Sequence, residues 1–243
     1  MTRIQAFLIH LGISAAIYLG LLYLIIFIWY PQPYFAADGG WQGIRLVTGI
    51  DMVLGPLLTL IVFKVGKPGL KFDLALIGVL QTAALLWGTW TIYDQRTAMV
   101  TFAADTFFSM NTELVERAGD LPKAMLAQAR REPVYAIVAL PTDPRAGRAL
   151  MKKFGPKPLY LLGEAYVPLE KANFNSIFAQ SIHIRATTQG SPDKQKMLDD
   201  FLARHGGTLD DYAFLPLQCR YATLILVLRR STGDIVGTLD MYT

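Results

Sequence analysis

Hydrophobic residues are concentrated in three long stretches of the chain, all of which lie before residue 95. The stretches at 4–29, 44–63 and 74–92 each reach the roughly 20 residues that a membrane-spanning helix needs. After residue 93 the apolar runs become short and are mixed with charges and prolines. The pattern therefore predicts two parts, a three-span membrane domain at 1–93 and a water-soluble domain at 94–243.

The first apolar stretch has a competing interpretation as a cleaved signal peptide. Its apolar run is much longer than the roughly 7 to 15 residues of a signal-peptide core. The nearby sequence YFAAD is also a poor cleavage site, because Phe35 stands where a small residue is needed. We therefore interpret the stretch as a helix that stays in the membrane.

The second part of the chain alternates short β-rich runs with helical patterns. Residues with strand character are found at 97–103, 133–140, 158–163, 221–230 and 234–242, and the last two flank a Ser-Thr-Gly turn typical of a hairpin. Helices are predicted at 109–118, 143–154 and 191–206. The expected fold is α+β, with a three-helix transmembrane bundle followed by an extracytoplasmic domain built on a largely antiparallel sheet.

Each predicted membrane helix has one polar or small-residue face. Since an α-helix repeats every 3.6 residues, residues three, four, seven and eleven apart fall on the same side. The three faces consist of His10, Ser14 and Tyr18, then Thr48, Asp51, Gly55 and Thr59, then Gly78, Gln81 and Gly88. Such faces are typical of helices that pack against other helices instead of lipid.

Asp51 is the residue that most needs explaining, since an ionised carboxylate facing lipid would cost several kcal/mol. It requires a partner or a proton. Pro56 has no N–H and predicts a kink close to Asp51. Gln81 is expected within about one helical turn of the same depth, which predicts a hydrogen bond between the two side chains.

Two interpretations of this polar face stay open at the level of sequence. In the first, Asp51, Gln81 and His10 only hold the three helices together. In the second, the face receives a transmembrane helix of another protein, and Asp51 binds a polar group on that helix. The residues of the predicted partner-binding face are Asp51, Gly55, Pro56, Thr59, Gly78, Gln81 and Gly88.

Lys71 and Asp73 form a separate predicted motif at the cytoplasmic edge of the third helix. We expect Lys71 to reach the lipid headgroups and Asp73 to be solvated or to begin the helix. An intramembrane aspartyl protease would need a second acid at the depth of Asp51, and Asp73 is too near the edge. One buried acid in three helices is also too little for a proton- or ion-transport pathway.

Charge indicates the topology. The connection at 64–71 carries three lysines and Arg3 precedes the first helix, whereas the connection between the first two helices has no lysine or arginine before Arg45. The positive-inside rule then predicts a cytoplasmic N-terminus and a periplasmic C-terminal domain in a multi-pass protein of the bacterial inner membrane. The positions of the four tryptophans agree with this topology. All of them fall at the predicted outer ends of the helices or in the outer connection: Trp29, Trp41, Trp87 and Trp90.

Composition and motifs argue against most enzyme and nucleic-acid functions. From residue 94 onward there are 18 basic and 16 acidic residues, without a basic stripe, so nucleic acid is not an expected partner. His183 and His205 are isolated, and no metalloprotease, serine-hydrolase or phosphate-loop motif occurs. We expect a binding module instead of an enzyme, with no cofactor and no metal. Cys219 is the only cysteine, which excludes an intrachain disulfide.

The membrane sequence resembles a known family. The segments DMVLGPLLT at 51–59 and KFDLALIGVLQTAALLWG at 71–88 are similar to the membrane signature of the type IV pilin accessory proteins of the TfpX/TfpZ family. The resemblance is specific over residues 45–90 and loose elsewhere. This sequence departs from the family pattern at Trp87, where a tyrosine is expected.

The resemblance implies a partner, a type IV pilin made alongside this protein. It implies a role as an accessory or chaperone-like protein that binds its cognate major pilin and assists or modulates pilus assembly. Pilins of this type carry an apolar N-terminal helix with a buried glutamate. Our own hypothesis, which the resemblance does not imply, is that the face bearing Asp51 holds this helix and that the two carboxyls share a proton. The outer domain would contact the globular pilin head. The alternative function is a membrane-anchored extracytoplasmic sensor or scaffold that binds a small ligand or an envelope component.

Overall fold

The computed structural model describes residues 2–170 and 173–242, which form two compact units, Met1–Arg96 and Thr97–Thr243. We call these the membrane unit and the outer unit. The membrane unit contains three helices long and apolar enough to cross a bilayer, Arg3–Trp29, Gly40–Val62 and Leu70–Asp94. These are the three helices that the apolar stretches predict.

The first and third membrane helices end on the same side of the membrane unit. The phenol of Tyr30 donates a hydrogen bond to the carbonyl oxygen of Ile92 at 3.0 Å. The rings of Trp29 and Tyr93 meet edge to face with their centres 5.4 Å apart. Ile44, at the beginning of the second helix, belongs to the same apolar cluster. The second helix therefore runs antiparallel to the other two, as three successive crossings require.

Two of the membrane helices contain π-helical segments. The first helix is α-helical over Arg3–Leu24 and π-helical over Ile25–Trp29. The second is α-helical over Gly40–Val47, π-helical over Thr48–Leu54 and α-helical again over Gly55–Val62. A single α-helix forms the third, Leu70–Asp94, and a short helix Tyr34–Ala37 lies in the first connection.

The outer unit is built on one seven-stranded sheet with the order β4-β3-β1-β2-β5-β6-β7. The strands are β1 Met99–Ala103, β2 Thr106–Met110, β3 Val134–Val138, β4 Tyr166–Pro168, β5 Tyr212–Gln218, β6 Thr223–Arg229 and β7 Ile235–Leu239. The helices of this unit are Thr112–Ala118, Lys123–Ala129, Pro144–Phe154, Phe174–Phe178, Ile184–Thr188 and Pro192–His205.

The sheet is mixed, so the expectation of a largely antiparallel sheet is corrected. The pair β1 and β3 is parallel, and so is the pair β2 and β5. Parallel neighbours require a crossover connection, which the helices between β2 and β3 and between β4 and β5 provide. The predicted hairpin at the end of the chain is present as the antiparallel pair β6 and β7.

Two other local predictions in the outer unit were wrong. The segment 158–163 forms 3₁₀ turns at Leu159–Leu161 and Gly163–Ala165 instead of a strand. His183, expected on a strand surface, is the residue that precedes the short helix Ile184–Thr188. The helix that begins after Ser191 ends at His205 with Gly206 following, as the sequence predicts.

Apolar side chains on both halves of the sheet form the core of the outer unit. One cluster surrounds β1 and β3 and includes Met99, Met110 and Met125. The second surrounds β5 and β6, where Phe201 and Leu198 of the helix Pro192–His205 pack against the sheet. Burial of this kind is the main source of stability in a water-soluble domain.

Candidate functional site

Asp51 lies inside the π-helical segment of the second membrane helix and is only 2 % exposed. The backbone N–H of Gly55 donates to the carbonyl oxygen of Ile50, the i to i−5 bond that defines a π turn. Pro56 lies in the first turn of the α-helical segment that follows, Gly55–Val62. The wide turn thus occupies the place at which the sequence predicts a kink, and single π turns inside α-helices frequently mark functional sites.

The carboxylate of Asp51 joins all three membrane helices. Gln81 on the third helix donates from Nε2 to Asp51 Oδ1 at 2.5 Å and lies 3.3 Å from the Asp51 carbonyl oxygen. Ser14 on the first helix donates from Oγ to the same Oδ1 at 3.3 Å. The hydrogen bond expected between Gln81 and Asp51 is therefore present, and Ser14 adds a second donor.

A second polar contact lies nearer the other end of the same helices. His10 Nδ1 is 2.6 Å from Thr59 Oγ1, and Thr59 donates its hydroxyl proton to the carbonyl oxygen of Gly55 at 3.1 Å. This contact and the Asp51 contacts form the polar cluster of Ser14, Asp51, Gln81, His10 and Thr59.

Two oxygen atoms of the polar cluster are left without a partner. Asp51 Oδ2 and Gln81 Oε1 are buried and have no hydrogen-bond partner among the described residues. A buried polar atom without a hydrogen bond costs roughly 1–3 kcal/mol. The three helices therefore satisfy one side of the Asp51 carboxylate and leave the other side unsatisfied.

The glycines of the predicted face play different parts. A Cβ atom at Gly55 would overlap the side-chain amide of Gln81, so glycine is what allows the amide to approach Asp51. Cβ atoms at Gly78 and Gly88 would meet no atom within 4 Å. Gly55 thus packs inside the membrane unit, whereas Gly78 lies exposed on the third helix and Gly88 is buried. Pro56 and Thr59 are buried as well.

A groove of about 350 Å³ opens between the first and third membrane helices. We call it the intramembrane groove. Its floor includes Asp51 and Thr59 of the second helix. The side walls are mostly apolar and are formed by Ile9, Ile13, Ile17, Leu74, Gly78 and Leu85. The polar cluster is therefore reached from the lipid side through a largely hydrophobic opening.

The edge motif is separate from the polar cluster. Asp73 lies in the first turn of the third helix and forms an ion pair with Lys67, whose Nζ is 2.6 Å from Oδ2. Lys71 is exposed. Lys71 and Asp73 both lie at the N-terminal end of the third helix. A carboxylate at this end is stabilised by the helix dipole.

The outer unit offers a weaker candidate site. A cleft of about 440 Å³ includes His183, Arg185 and Arg230 in its lining. Arg230 donates from Nε to the carbonyl oxygen of Tyr212 at 2.9 Å, and its guanidinium lies over the Phe178 ring. Within residues 2–170 and 173–242, no three His, Cys, Asp or Glu side chains are grouped closely enough to hold a metal ion.

Sequence reasoning identified the members of the polar cluster but missed two of its features. The π turn was missed, because i to i−5 bonding leaves no clear signal in hydrophobic periodicity; the only hint is Pro56 at the turn's end. The intramembrane groove was missed since it depends on how the helices pack. Four-residue spacing of His10 and Ser14 was the signal that the first helix also contributes.

Comparisons with known proteins support one family. The family model of the fimbrial assembly protein FimB matches residues 1–39. The chain is 39 % identical over 101 residues to the fimbrial assembly protein of serogroup E1 from Dichelobacter nodosus, and 38 % identical over 101 residues to that of serogroups C1 and C2 from the same organism. It is 38 % identical over 100 residues to the serogroup I protein. No solved structure matches the chain.

The extent of these matches differs among the relatives. Each match covers 40 % of this chain. It spans 39 % of the serogroup E1 protein and 38 % of the serogroup I protein, but 76 % of the protein from serogroups C1 and C2. At this identity and coverage, the chain belongs to the fimbrial assembly protein family, which is the type IV pilin accessory family that its membrane sequence resembles.

Proposed function

We propose that this protein acts in pilus assembly as a membrane-embedded accessory protein that binds its cognate type IV pilin. The relatives are named fimbrial assembly proteins, which supports the assembly role. The observation that carries the pilin-binding step is the polar cluster, in which Asp51 keeps one buried oxygen unsatisfied in a groove whose side walls are mostly apolar. A cluster that only held three helices together would satisfy its own polar atoms.

The proposed mechanism is retention of the pilin in the membrane before its incorporation into the fibre. The pilin's apolar helix would lie against the face that bears Asp51, Gly55, Pro56, Thr59, Gly78, Gln81 and Gly88. A protein with this role needs no catalytic residue, since it lowers the free energy of unassembled pilin by binding alone. The outer unit would contact the globular pilin head.

We also propose the topology that this role requires. The N-terminus and the connection that carries Lys64, Lys67 and Lys71 would lie in the cytoplasm of a bacterium, and the outer unit in the periplasm. The third membrane helix ends at Asp94 and β1 begins at Met99. Only four residues separate them, which would keep the outer unit close to any pilin held in the inner membrane.

The test is capture of pilin by the full-length protein. We expect the tagged protein, extracted from its own host with a mild detergent, to carry the pilin with it. Deletion of its gene is expected to reduce surface fimbriae while pilin is still synthesised. Normal fimbriation in the deletion strain together with no pilin in the extract would contradict the proposal.

A second candidate function is an anchored sensor or scaffold that binds a small ligand or an envelope component. The observation that favours it is the cleft with His183, Arg185 and Arg230. Its basic side chains suit an anionic ligand. Under this alternative, Arg185→Ala combined with Arg230→Ala would abolish function while the Asp51 variants would not, which separates it from pilin binding.

A further inference from the structure

The intramembrane groove has a polar floor that its own helices do not complete. The first and third membrane helices each pack against the second. Asp51 belongs to the lining of the groove between them, and its Oδ2 is buried without a hydrogen-bond partner among the described residues. Asp51 is only 2 % exposed, so this oxygen lies deep behind apolar walls.

At least one of the two unsatisfied oxygens needs a proton donor, whether Asp51 is ionised or neutral. Gln81 uses its Nε2 for Asp51 and Ser14, which leaves the amide oxygen Oε1 as an acceptor. An amide oxygen accepts hydrogen bonds whether Asp51 is ionised or neutral. When Asp51 is ionised, its Oδ2 is a second acceptor. A complementary partner must therefore bring at least one donor.

Lipid cannot supply that donor, because acyl chains have no N–H or O–H group. A transmembrane helix can, since its side chains reach into a groove while its own backbone stays hydrogen-bonded. The absence of a Cβ at Gly78 leaves one wall open for close approach, which is how helices associate in membranes. The apolar walls suit the remaining side chains of such a helix.

We propose that the intramembrane groove binds one transmembrane helix of another chain and selects a helix with a single side-chain proton donor at the depth of Asp51. The donor is a hydroxyl, a carboxamide or a protonated carboxyl. This inference deepens the proposed function and rests on it, since it states which feature of a pilin helix would be recognised. Asp51 binds the donor, and Gln81 is both a second acceptor and the residue that positions the carboxylate.

Gly55 makes room for the Gln81 side chain beside Asp51. A side chain there would overlap the Gln81 amide and move it away from Asp51. The π turn of Thr48–Leu54 sets the orientation of Asp51, because one extra residue in a turn rotates every following side chain around the helix. The recognition site thus depends on the second helix for its acceptor and on the first and third for its walls.

The test uses full-length protein and a series of host helices in an in-membrane association assay. The host is a single Leu/Ala transmembrane helix with one guest position at the depth of Asp51, occupied by Gln, Ser or Leu. We expect the Gln guest to associate about tenfold more strongly than the Leu guest, the value for one interhelical hydrogen bond in model peptides. The Ser guest should fall between them.

Two glycine variants show whether binding occurs in the groove. Gly78→Leu fills a groove wall and is expected to abolish the preference for the Gln guest. Gly12→Leu adds the same side chain on the first helix, at an exposed position with no atom within 4 Å of its Cβ and outside the groove lining, and should leave the preference unchanged. Equal association of Gln and Leu guests, or equal effects of the two variants, would overturn the inference.

The same assay distinguishes this inference from the proposed function. A Gln guest that binds the groove while no pilin is captured would leave the inference standing and reject pilin binding. Pilin captured equally well by the Gly78→Leu variant would support pilin binding and reject the groove as its site. Self-association that is lost in Gly78→Leu, with no binding of any guest helix, would assign the groove to a second copy of this chain and overturn the inference.

Discussion

The two units of this protein use polar residues in opposite ways. The outer unit contains 32 charged residues, 17 basic and 15 acidic, and the ion pairs described there are exposed. In the membrane unit, polar side chains from the first and third helices converge on Asp51 of the second. Where water reaches a charged side chain, its position says little about function. Where lipid surrounds the helices, each polar residue must be explained.

The difference extends to what stabilises each unit. Leu198 in the outer unit is 1 % exposed within a cluster of buried apolar side chains. The membrane unit gains little from apolar contacts between helices, because lipid is as apolar as they are. We therefore expect stability and function to be separable, with stability sensitive in the outer core and function sensitive in the polar cluster.

The largest expected effect is on the stability of the outer unit. Leu198→Ala should lower its free energy of unfolding by about 2–5 kcal/mol, since it opens a cavity in a packed core. The chain supplies two reporters for this experiment. Cys219 is the only cysteine and is buried in the outer unit, whereas all four tryptophans lie in the membrane unit.

Urea titration of the full chain in detergent should show earlier labelling of Cys219 in Leu198→Ala, with tryptophan fluorescence unchanged. Leu126→Ala is the matched control. It removes the same side-chain atoms, but Leu126 is 38 % exposed, so their removal leaves no enclosed cavity. If Leu198→Ala shifted Cys219 labelling and tryptophan fluorescence together, the two units would unfold as one. That result would contradict the expected separation of stability and function.

The next largest effect is on pilus assembly. Asp51→Leu removes both carboxylate oxygens, and we expect surface fimbriae to fall about tenfold or more with protein level unchanged. Asp51→Asn keeps one acceptor for Gln81 but replaces the other oxygen with a donor, so an intermediate loss is expected. Fimbriae are quantified after shearing, with an immunoblot for the accessory protein.

The contradictory outcome for this pair is specific. If Asp51→Leu were degraded while every accumulated variant assembled normal fimbriae, the polar cluster would serve only to hold the three helices together. That result would favour the first of the two interpretations that the sequence leaves open.

The sequence predicted the membrane unit better than the outer unit, for physical reasons. Three apolar runs of the required length permit few structures other than spanning helices, and equal depth was enough to pair Gln81 with Asp51. In the outer unit, β5 was missed because Pro216 lies inside it, and proline normally argues against an inner strand. The short β4 has only 3 residues, too few for a pattern.

Other features depend on tertiary structure and could not be predicted from local pattern. The mixed sheet results from crossover connections, whereas strand periodicity does not distinguish parallel from antiparallel neighbours. Similarly, helical spacing assigned both Gly55 and Gly78 to the predicted partner-binding face. Only packing shows that Gly55 makes room for Gln81 while Gly78 borders the groove.

A smaller effect is expected at Gly55. Gly55→Ala should displace the Gln81 amide by a rotamer change and reduce pilin capture roughly threefold to tenfold, less than loss of the carboxylate itself. Gly49→Ala is the control, because it lies in the same π segment and its Cβ would meet no atom within 4 Å. Capture that falls equally in both variants would indicate a general effect on the helix.

The smallest effect concerns acid stability of the outer unit. Hydrogen bonds from the backbone and side chain of Thr208 hold the pKa of Asp211 below its ordinary value. A carboxyl with a depressed pKa stabilises the fold above its unfolded pKa, and this stabilisation is lost as pH falls through the folded pKa. Asp211→Asn should therefore reduce stability slightly at pH 7 and flatten its decline below about pH 4.

Urea unfolding at several pH values, with Cys219 labelled by a dithiodipyridine that reacts with thiols at acid pH, measures this effect. Asp210→Asn is the neighbouring control, since the Thr208 hydrogen bonds are made by Asp211. An identical pH profile for wild type and Asp211→Asn would contradict the assignment.

Site-specific photocrosslinking in living cells tests the central claim most directly. The crosslinker replaces Ile13, a groove-wall residue that is 57 % exposed, and in a second strain Leu8, which is 56 % exposed on the same helix but outside the groove lining. The account predicts a pilin crosslink from position 13 that is lost with Asp51→Leu, and little or none from position 8. Equal pilin crosslinks from both positions, or none from position 13 in a strain that assembles fimbriae, would contradict it.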